Sequence, residues 1–489
     1  MEHSIRRKVE DWIDAHEEKI VSDVKRLVSI ASVAEPDSRV HPYGQKCREV
    51  MEEYCRIAGE HGFKITSYDD RVVRADTTDV GSRPDIGIWN HLDVVPAGHD
   101  WKFKPYEPVL KEGYLIGRGV KDNKGPAVAA IYAIQCLKDL GVPLKHAISL
   151  YAGMEEEKGM SDILWLKANQ VEFPRVNMVL DSRYPVCYGE KGILNITVAR
   201  CEKLSANIID IGGGESANSV AGRARMELAV DVPLKLPDSL PEWIRLSCAD
   251  DGRLIIEARG LSKHAAHPEG SENAVFRLFA AVGGKEPLCE ELHELMMGAV
   301  DPDTLEMFRR YASLSEGIYG EGLGISAEDG ISGKLTAVAT LLSFKERLCS
   351  VTYDIRYPIS LKTDCGLIEK IEAKAKNFGM EVTTISGKQP GYFPKDHPLI
   401  ENLMNTYNKF MGGHEKPFTI AGGTYSRMLP NAFGYGFRIV PEPDYPETLI
   451  PPGHGNSHSA DEAVGMEHFK RQLALLVVSL AEAQEVELS

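Results

Sequence analysis

Residues 85–93, "DIGIWNHLD", carry the reading on which the fold turns. A short apolar run ends at Asn90, and a histidine and a carboxylate follow at His91 and Asp93. Two further runs share that layout. "AISLYAG" (147–153) is followed by Met154 and then Glu155, Glu156 and Glu157, and "VNMVLD" (176–181) ends in Asp181. Each reads as a buried strand of an α/β sheet. Between the first two lies "GPAVAAIYAIQCLKDLG" (125–141), a helix pattern in which Val128, Ile131, Ile134 and Leu137 recur every three residues. Gly141 stands where a C-terminal cap belongs. In open α/β sheets the binding crevice lies at the carboxyl ends of the strands, which is where these ligand-type side chains fall.

At 489 residues the chain exceeds a single core, since cores stop growing near roughly 250–300 residues. Its texture changes twice. Residues 193–392 mix strand-like stretches ("LIIEARG", "RLCSVTYDIRYP") with helical ones ("LHELMMGAV", "CGLIEKIEAKAKNFG"), whereas 393–489 return to short strands and a long terminal helix. This predicts a first domain in two parts, 1–192 and 393–489, interrupted by an inserted α+β domain over 193–392 that holds one or two antiparallel units.

The 43% apolar and 26% charged content is that of a soluble globular protein. A net charge of −16 argues against a nucleic-acid partner. Ile5, Val9, Trp12 and Ile13 lie at helical spacing among charges, unlike the unbroken apolar stretch of a signal peptide. No run of about 18 apolar residues predicts a membrane span, and "LALLVVSLAEA" (473–483) reads as a packed terminal helix. The nine cysteines (Cys47, Cys55, Cys136, Cys187, Cys201, Cys248, Cys289, Cys349 and Cys365) are odd in number, scattered and without a CxxC pair. A disulfide framework or structural zinc site is not expected, and the plain reading is cytoplasmic. The Gly-rich "GEGLGISAEDGISGK" (320–334) lacks the strand–GxGxxG–helix context and reads as a hairpin or loop.

Asp122, in the turn "GVKDNKG", and His454 and His458, in "GHGNSHSADE", extend the set of candidates. Singly, each has a structural reading: a satisfied histidine at a strand end, a solvated run of glutamates, an acid favoured by a helix dipole, a turn cap. Collectively they are the mixed His and carboxylate donors that suit zinc, manganese or cobalt. A carboxylate shared between two ions about 3.5–4 Å apart is how co-catalytic sites are assembled.

Five ordered segments, "HLDVVPAG", "GRGVKDNKGP", "EEKG", "LDSRYPVCYGEKG" and "GNSHSADE", resemble the motifs of the dinuclear metallopeptidases that include glutamate carboxypeptidase, aminoacylase and desuccinylase. "DWKFKPYEPVLKEGYLIGRGVKDNKGP" (100–126) is especially similar to the bacterial dipeptidase V, or Xaa-His dipeptidase, type. The resemblance covers nearly the whole chain. It implies a phosphorylase/hydrolase-like three-layer catalytic domain with a mixed central sheet, interrupted by a lid. It also implies two divalent ions, Zn2+, Mn2+ or Co2+. His91, Asp122 and Asp181 would hold one, Asp122, Glu157 and His458 the other, with Asp122 bridging. Asp93 would orient the His91 ring.

Similar enzymes carry Glu-Glu-x-Gly, which selects Glu156 and Glu157 and leaves Glu155 a bystander. Glu156 is then the general base for a metal-bridged hydroxide. "GLSKHAAHPEGSENA" resembles the lid signature that makes His264 the substrate- and oxyanion-contacting histidine. Asn218, in "GGGESANSVAG", and Arg356, in "YDIRYP", would contact substrate, the guanidinium capturing a terminal carboxylate, against the alternatives of a turn residue and a strand-end salt bridge. Gly422 and Gly423, in "AGGTYSR" (421–427), would let backbone amides approach it. The implied activity is hydrolysis of unblocked dipeptides, with a deacylase or carboxypeptidase as the alternative. A doubled lid that supplies its histidine within one chain implies a monomer. Asn123 departs from the pattern, where an acid is frequent, as does Met154, where a polar residue is common. The long loop "VPEPDYPETLIPPGHGN" brings His454 as a rival to His458.

Overall fold

Ile86–His91, Ile148–Gly153 and Val176–Val179 are strands in which every residue is buried. They belong to a computed structural model that describes residues 2–77, 84–230, 240–249, 251–284, 290–361, 366–442 and 444–488. A strand covered on one face alternates buried with exposed residues, so unbroken burial requires cover on both. Alternation appears instead as a choice between two cores. Ile86, Ile88, Ile148, Leu150, Val176 and Met178 enter a large core. Trp89, Tyr151 and Val179 enter a smaller one on the opposite face.

The large core holds the apolar sides of the helices Glu2–Val28, Gln45–Glu60, Lys124–Asp139, Pro398–Met411 and Met466–Ala483. The smaller holds Ile163 and Leu166 of the helix Ser161–Ala168, together with Tyr425. Helices therefore cover both faces of the sheet. In space the strands run Lys64–Tyr68, Val72–Asp76, Ile148–Gly153, Ile86–His91, Val176–Val179, Ala432–Tyr435, Val186–Glu190, Gly391–Tyr392. Ile86–His91 is parallel to both its neighbours and Ala432–Tyr435 is parallel to Val176–Val179. Lys64–Tyr68, Val72–Asp76 and Val186–Glu190 pair antiparallel. This is the expected three-layer α/β arrangement with a mixed sheet.

The chain forms two compact units, Met1–Gly189 with Gly391–Thr419 and Gly423–Ser489, and Glu190–Pro390 with Ile420–Gly422. The sequence reading gives everything after 392 to the first. Residues 420–422 depart from it because Lys191 N donates to Ile420 O at 2.9 Å and Arg356 Nη1 to Ala421 O at 2.9 Å.

The second unit is built on an antiparallel sheet ordered Ile244–Cys248, Arg253–Arg259, Arg223–Ala229, Ile208–Gly213, Thr336–Lys345, Leu348–Tyr357, Gly192–Arg200, Met380–Lys388. Its two four-stranded halves meet at one register pair, Gly213 with Leu342. A single core runs under both halves, where the sequence reading allowed one or two α+β units. Asn273 starts its helix Ala274–Gly283 by accepting from Val275 N and Phe276 N at 3.0 and 3.3 Å.

The Gly-rich stretch is a hairpin, Glu328–Asp329 against Gly333–Lys334. The described cysteines are free, and Cys289 and Cys365 lie outside the described residues. Among the described residues no helix is long and apolar enough to cross a membrane.

Candidate metal centre

The three parallel strands deliver their acids and histidine at one edge. His91 closes its strand, and Leu92 N donating to Gly153 O at 2.9 Å carries the register one residue further. Glu156 and Glu157 follow Gly153, and Asp181 follows Val179 by two residues. Asp122 stands two residues before the helix Lys124–Asp139. His458 comes from the long C-terminal loop at φ 65°, a left-handed backbone that costs a non-glycine residue about 1–3 kcal/mol and tends to persist at functional sites.

These side chains converge. His91 Nε2 lies 3.1 Å from Asp122 Oδ1 and 3.7 Å from Asp181 Oδ2. His458 Nε2 lies 3.0 Å from Glu157 Oε1 and 3.3 Å from Asp122 Oδ2. Asp122 therefore turns one carboxylate oxygen to each histidine. Two overlapping sets, His91 with Asp122 and Glu157, and His91 with Glu156 and Asp181, have ligand atoms within 4.8 Å of one another.

Burial works against charge on Asp122, but hydrogen bonds to His458 and His91 overcome it and hold the carboxyl well below its ordinary range. Burial also opposes charge on His91, and its acidic partners, Asp122 first, raise it nonetheless. His458 is pushed up to about 11 by Asp122 and Glu157. Asp181, desolvated and facing Asp122, rises to about 7. Glu156 is raised by burial and then by Asp181, and its Oε1 is buried without a hydrogen-bond partner. Four carboxylates crowded together, Glu156 buried and the others partly so, with buried His91 and exposed His458 fit divalent cations, which remove the repulsion and the desolvation penalty together.

Supporting contacts hold the cluster. His91 Nδ1 lies 3.0 Å from Asp93 O and 3.4 Å from Asp93 Oδ1. The Asp93 carboxylate also accepts from Glu156 N at 3.0 Å and Glu157 N at 3.1 Å, so one residue positions both the ring and the glutamate pair. Glu155, the bystander, faces away and accepts from Ser161 N at 2.6 Å. Neither His458 nor His454 belongs to those two sets; what separates them is that His458 Nε2 faces Asp122 and Glu157, whereas His454 Nδ1 lies 2.7 Å from Asp461 Oδ2.

Two residues escape sequence reasoning. Asn123 accepts from Asn90 Nδ2 at 2.5 Å and donates to Leu180 O at 2.6 Å, tying the Asp122 turn to two ligand strands. Glu462 is fully buried; its Oε1 accepts from the backbone of Gly119, Lys121 and Asp122 at 2.9–3.1 Å, and its Oε2 from Arg118 Nη1 at 2.6 Å. Glu462 closes the quoted motif "GNSHSADE", but its partners are invisible without the fold.

The remaining candidates lie in the inserted unit, save Gly423. His264 is exposed and bridged in antiparallel register to Ser219; its Nδ1 accepts from Ala266 N at 3.1 Å. Partial desolvation of its ring and the nearby Arg356 charge lower its pKa. Asn218 is exposed and its O accepts from Ala265 N at 2.8 Å. Arg356 is buried in a bidentate pair with Asp354, at 2.6 and 2.7 Å. A Cβ on Gly423 would come within 2.4 Å of the Arg427 guanidinium, so the position admits no side chain without rearrangement.

The chain is similar along most of its length to a Staphylococcus epidermidis protein named "Putative dipeptidase", 28% identical over 451 residues, covering 88% of this chain and 92% of that one. Human carnosine dipeptidase 1 shares the fold, with a TM-score of 0.55 at 15% identity over 99% of both chains. Aminoacylhistidine dipeptidase from Vibrio alginolyticus does so with a TM-score of 0.53 at 13% identity, over 94% of this chain and 95% of that one. The sequence profile of Peptidase family M20/M25/M40 matches residues 87–482, a span that contains His91, Asp122, Glu157, Asp181 and His458, and this chain belongs to that family of peptidases.

Proposed function

We propose that the protein is a metal-dependent dipeptidase that hydrolyses unblocked dipeptides. The observation that carries this reading is Asp122 standing between His91 and His458, one oxygen to each, at 3.1 and 3.3 Å. His91, Asp122 and Asp181 would hold one divalent ion, and Asp122, Glu157 and His458 a second, with zinc, manganese and cobalt all compatible with the donors. Such ions, when bound, polarise the scissile carbonyl and acidify water near neutral pH.

The protein's own groups do the rest. Glu156 takes the proton of the attacking water and passes it to the departing amine, a role that its unpartnered Oε1 suits. Asp93 holds the His91 ring and the Glu156–Glu157 backbone in place. From the inserted unit, His264 would donate to the developing oxyanion and Asn218 would contact substrate. Arg356 has five N–H groups; Asp354 and Ala421 take three, which leaves two for a terminal carboxylate. The amides of Gly422 and Gly423 would line the substrate. We read the protein as a cytoplasmic monomer acting on small peptides.

Two experiments test this. After stripping with a chelator, the protein is refilled separately with manganese and zinc. Each form is offered free dipeptides, one with an N-terminal β-alanine, beside N-acetyl and N-succinyl amino acids. Metal-restored cleavage confined to unblocked dipeptides is the expected result; cleavage of the acylated compounds alone would make the protein a deacylase. Second, His458→Ala should bind about half the wild-type metal, whereas His454→Ala should keep full metal content and activity within a few-fold. Elemental analysis of the two variants reads this directly, and metal loss in His454→Ala would reverse the assignment of the loop histidines.

A further inference from the structure

Beyond Asp181 the chain makes a second short strand, Ser182–Arg183, which pairs in parallel with Phe437–Arg438. The register sets Ser182 beside Phe437 and Arg183 beside Arg438. Phe437 and Tyr184 lie in the large core and Ser182 is buried, so alternation puts Asp181, Arg183 and Arg438 together on the other side. Both arginines are exposed.

Neither arginine has an ion pair or a side-chain hydrogen bond to another described residue. The Arg183 guanidinium carbon lies over the Phe418 ring, 3.9 Å from its centroid. Stacking occupies the face of a guanidinium and leaves its in-plane N–H donors for an anion. Like charges set side by side on adjacent strands, about 4.7–4.9 Å apart, are unfavourable by themselves. In a chain of net charge −16, two cations without a described ion-pair partner on the strand face that also carries Asp181 form a place where an added anion gains from both.

We propose that Arg183 and Arg438 together bind a carboxylate of the substrate next to the Asp181 edge of the metal centre. This rests on the dipeptidase reading and narrows it to a substrate class. The C-terminus of the dipeptide is the group assigned above to Arg356, so the carboxylate bound here is an acidic side chain; binding of the C-terminus by this pair instead of by Arg356 is the other outcome that the test separates. Two guanidinium groups present parallel donors to a carboxylate, and hydrogen bonds to charged groups of this kind correspond to roughly tenfold in binding or more.

The test compares the metal-loaded wild type with Arg183→Met, Arg438→Met and the double variant, Met keeping the apolar contact with Phe418. Thermal unfolding checks that the variants are folded. Rates are measured on alanyl-glutamate, alanyl-glutamine and the C-terminal amide of alanyl-glutamine. A side-chain site predicts that the kcat/KM ratio of alanyl-glutamate to alanyl-glutamine falls about tenfold in the double variant, mainly through KM. A terminal-carboxylate site predicts instead that the ratio of free alanyl-glutamine to its amide falls. Both ratios unchanged would overturn the proposal.

A wild type that cleaves none of the three would overturn the dipeptidase reading. The arginine pair is then tested separately by titrating glutarate into the metal-loaded protein in a calorimeter. Binding weakened about tenfold in the double variant supports the pair; equal binding overturns it.

Discussion

Glu156→Gln should lower kcat by about 10³-fold, within the range of about 10²–10⁴ that a general base contributes, while metal content and thermal stability stay at wild-type values. The amide keeps the shape and volume of the carboxyl but cannot take up a proton. Glu156 Oε1 makes no hydrogen bond within the protein, so the change breaks no internal contact of that atom. Turnover by stopped assay, elemental analysis and a melting curve together decide the matter. Activity within tenfold of wild type would remove Glu156 from proton transfer. Loss of metal with activity would make it a ligand, the role implied by its grouping with His91 and Asp181.

Glu462→Ala should destabilise the first unit by about 3–5 kcal/mol, the usual cost of removing one partner from a buried ion pair. The substitution leaves Arg118, itself 1% exposed, as an uncompensated buried charge. It also strips an acceptor from the backbone N–H groups of Gly119, Lys121 and Asp122. Because that turn carries Asp122, metal affinity should fall with stability. Urea unfolding and a competitive metal titration measure the two effects. Glu462→Gln, which keeps an acceptor but not the charge, should fall between wild type and Ala. A loss below about 1 kcal/mol in Glu462→Ala would show that water replaces the carboxylate in the turn.

The three ligand strands are legible in the sequence for a physical reason. Strands buried on both faces need apolar side chains on both, so they stand out as short unbroken runs. The helix Lys124–Asp139 is legible through its period and through Gly141, which lies just past its end at φ 69°. Pairing between distant segments is not written locally. Nothing in "NAFGYG" announces that Ala432–Tyr435 will lie beside Val176–Val179, or that Val72–Asp76 will cover the far side of Ile148–Gly153. The same limit applies at the site. Residue type and position relative to strand ends mark His91, the run Glu155–Glu157 and Asp181 as candidates, with Asp122, His454 and His458 added from a turn and a loop; the family resemblance, not position, selects Glu157 within the run and His458 over His454. Asn123 and Glu462 act on backbone groups, which have no letter in the sequence, and on the side chains of Asn90 and Arg118, which are distant along it. Arg356 lies between these cases. Its partner Asp354 is two residues away on the same strand face, a pairing that period-2 alternation makes readable in advance.

The C-terminal origin of His458 and Glu462 bears on how the site is made during synthesis. His91, Asp122, Glu157 and Asp181 leave the ribosome with the first part of the chain, and His458 and Glu462 follow roughly 280 residues later, about 15–55 s at the usual rate of about 5–20 residues per second. Through that interval the early ligands have neither their last histidine nor the carboxylate that pins the Asp122 turn, and the inserted unit is translated in full before either arrives. On the proposed ligand assignment, loading of two ions would be separated in time by the order of the gene itself: His91, Asp122 and Asp181 would meet an ion first, and the position shared by Glu157 and His458 would close only as the last strand and the final helix are laid down.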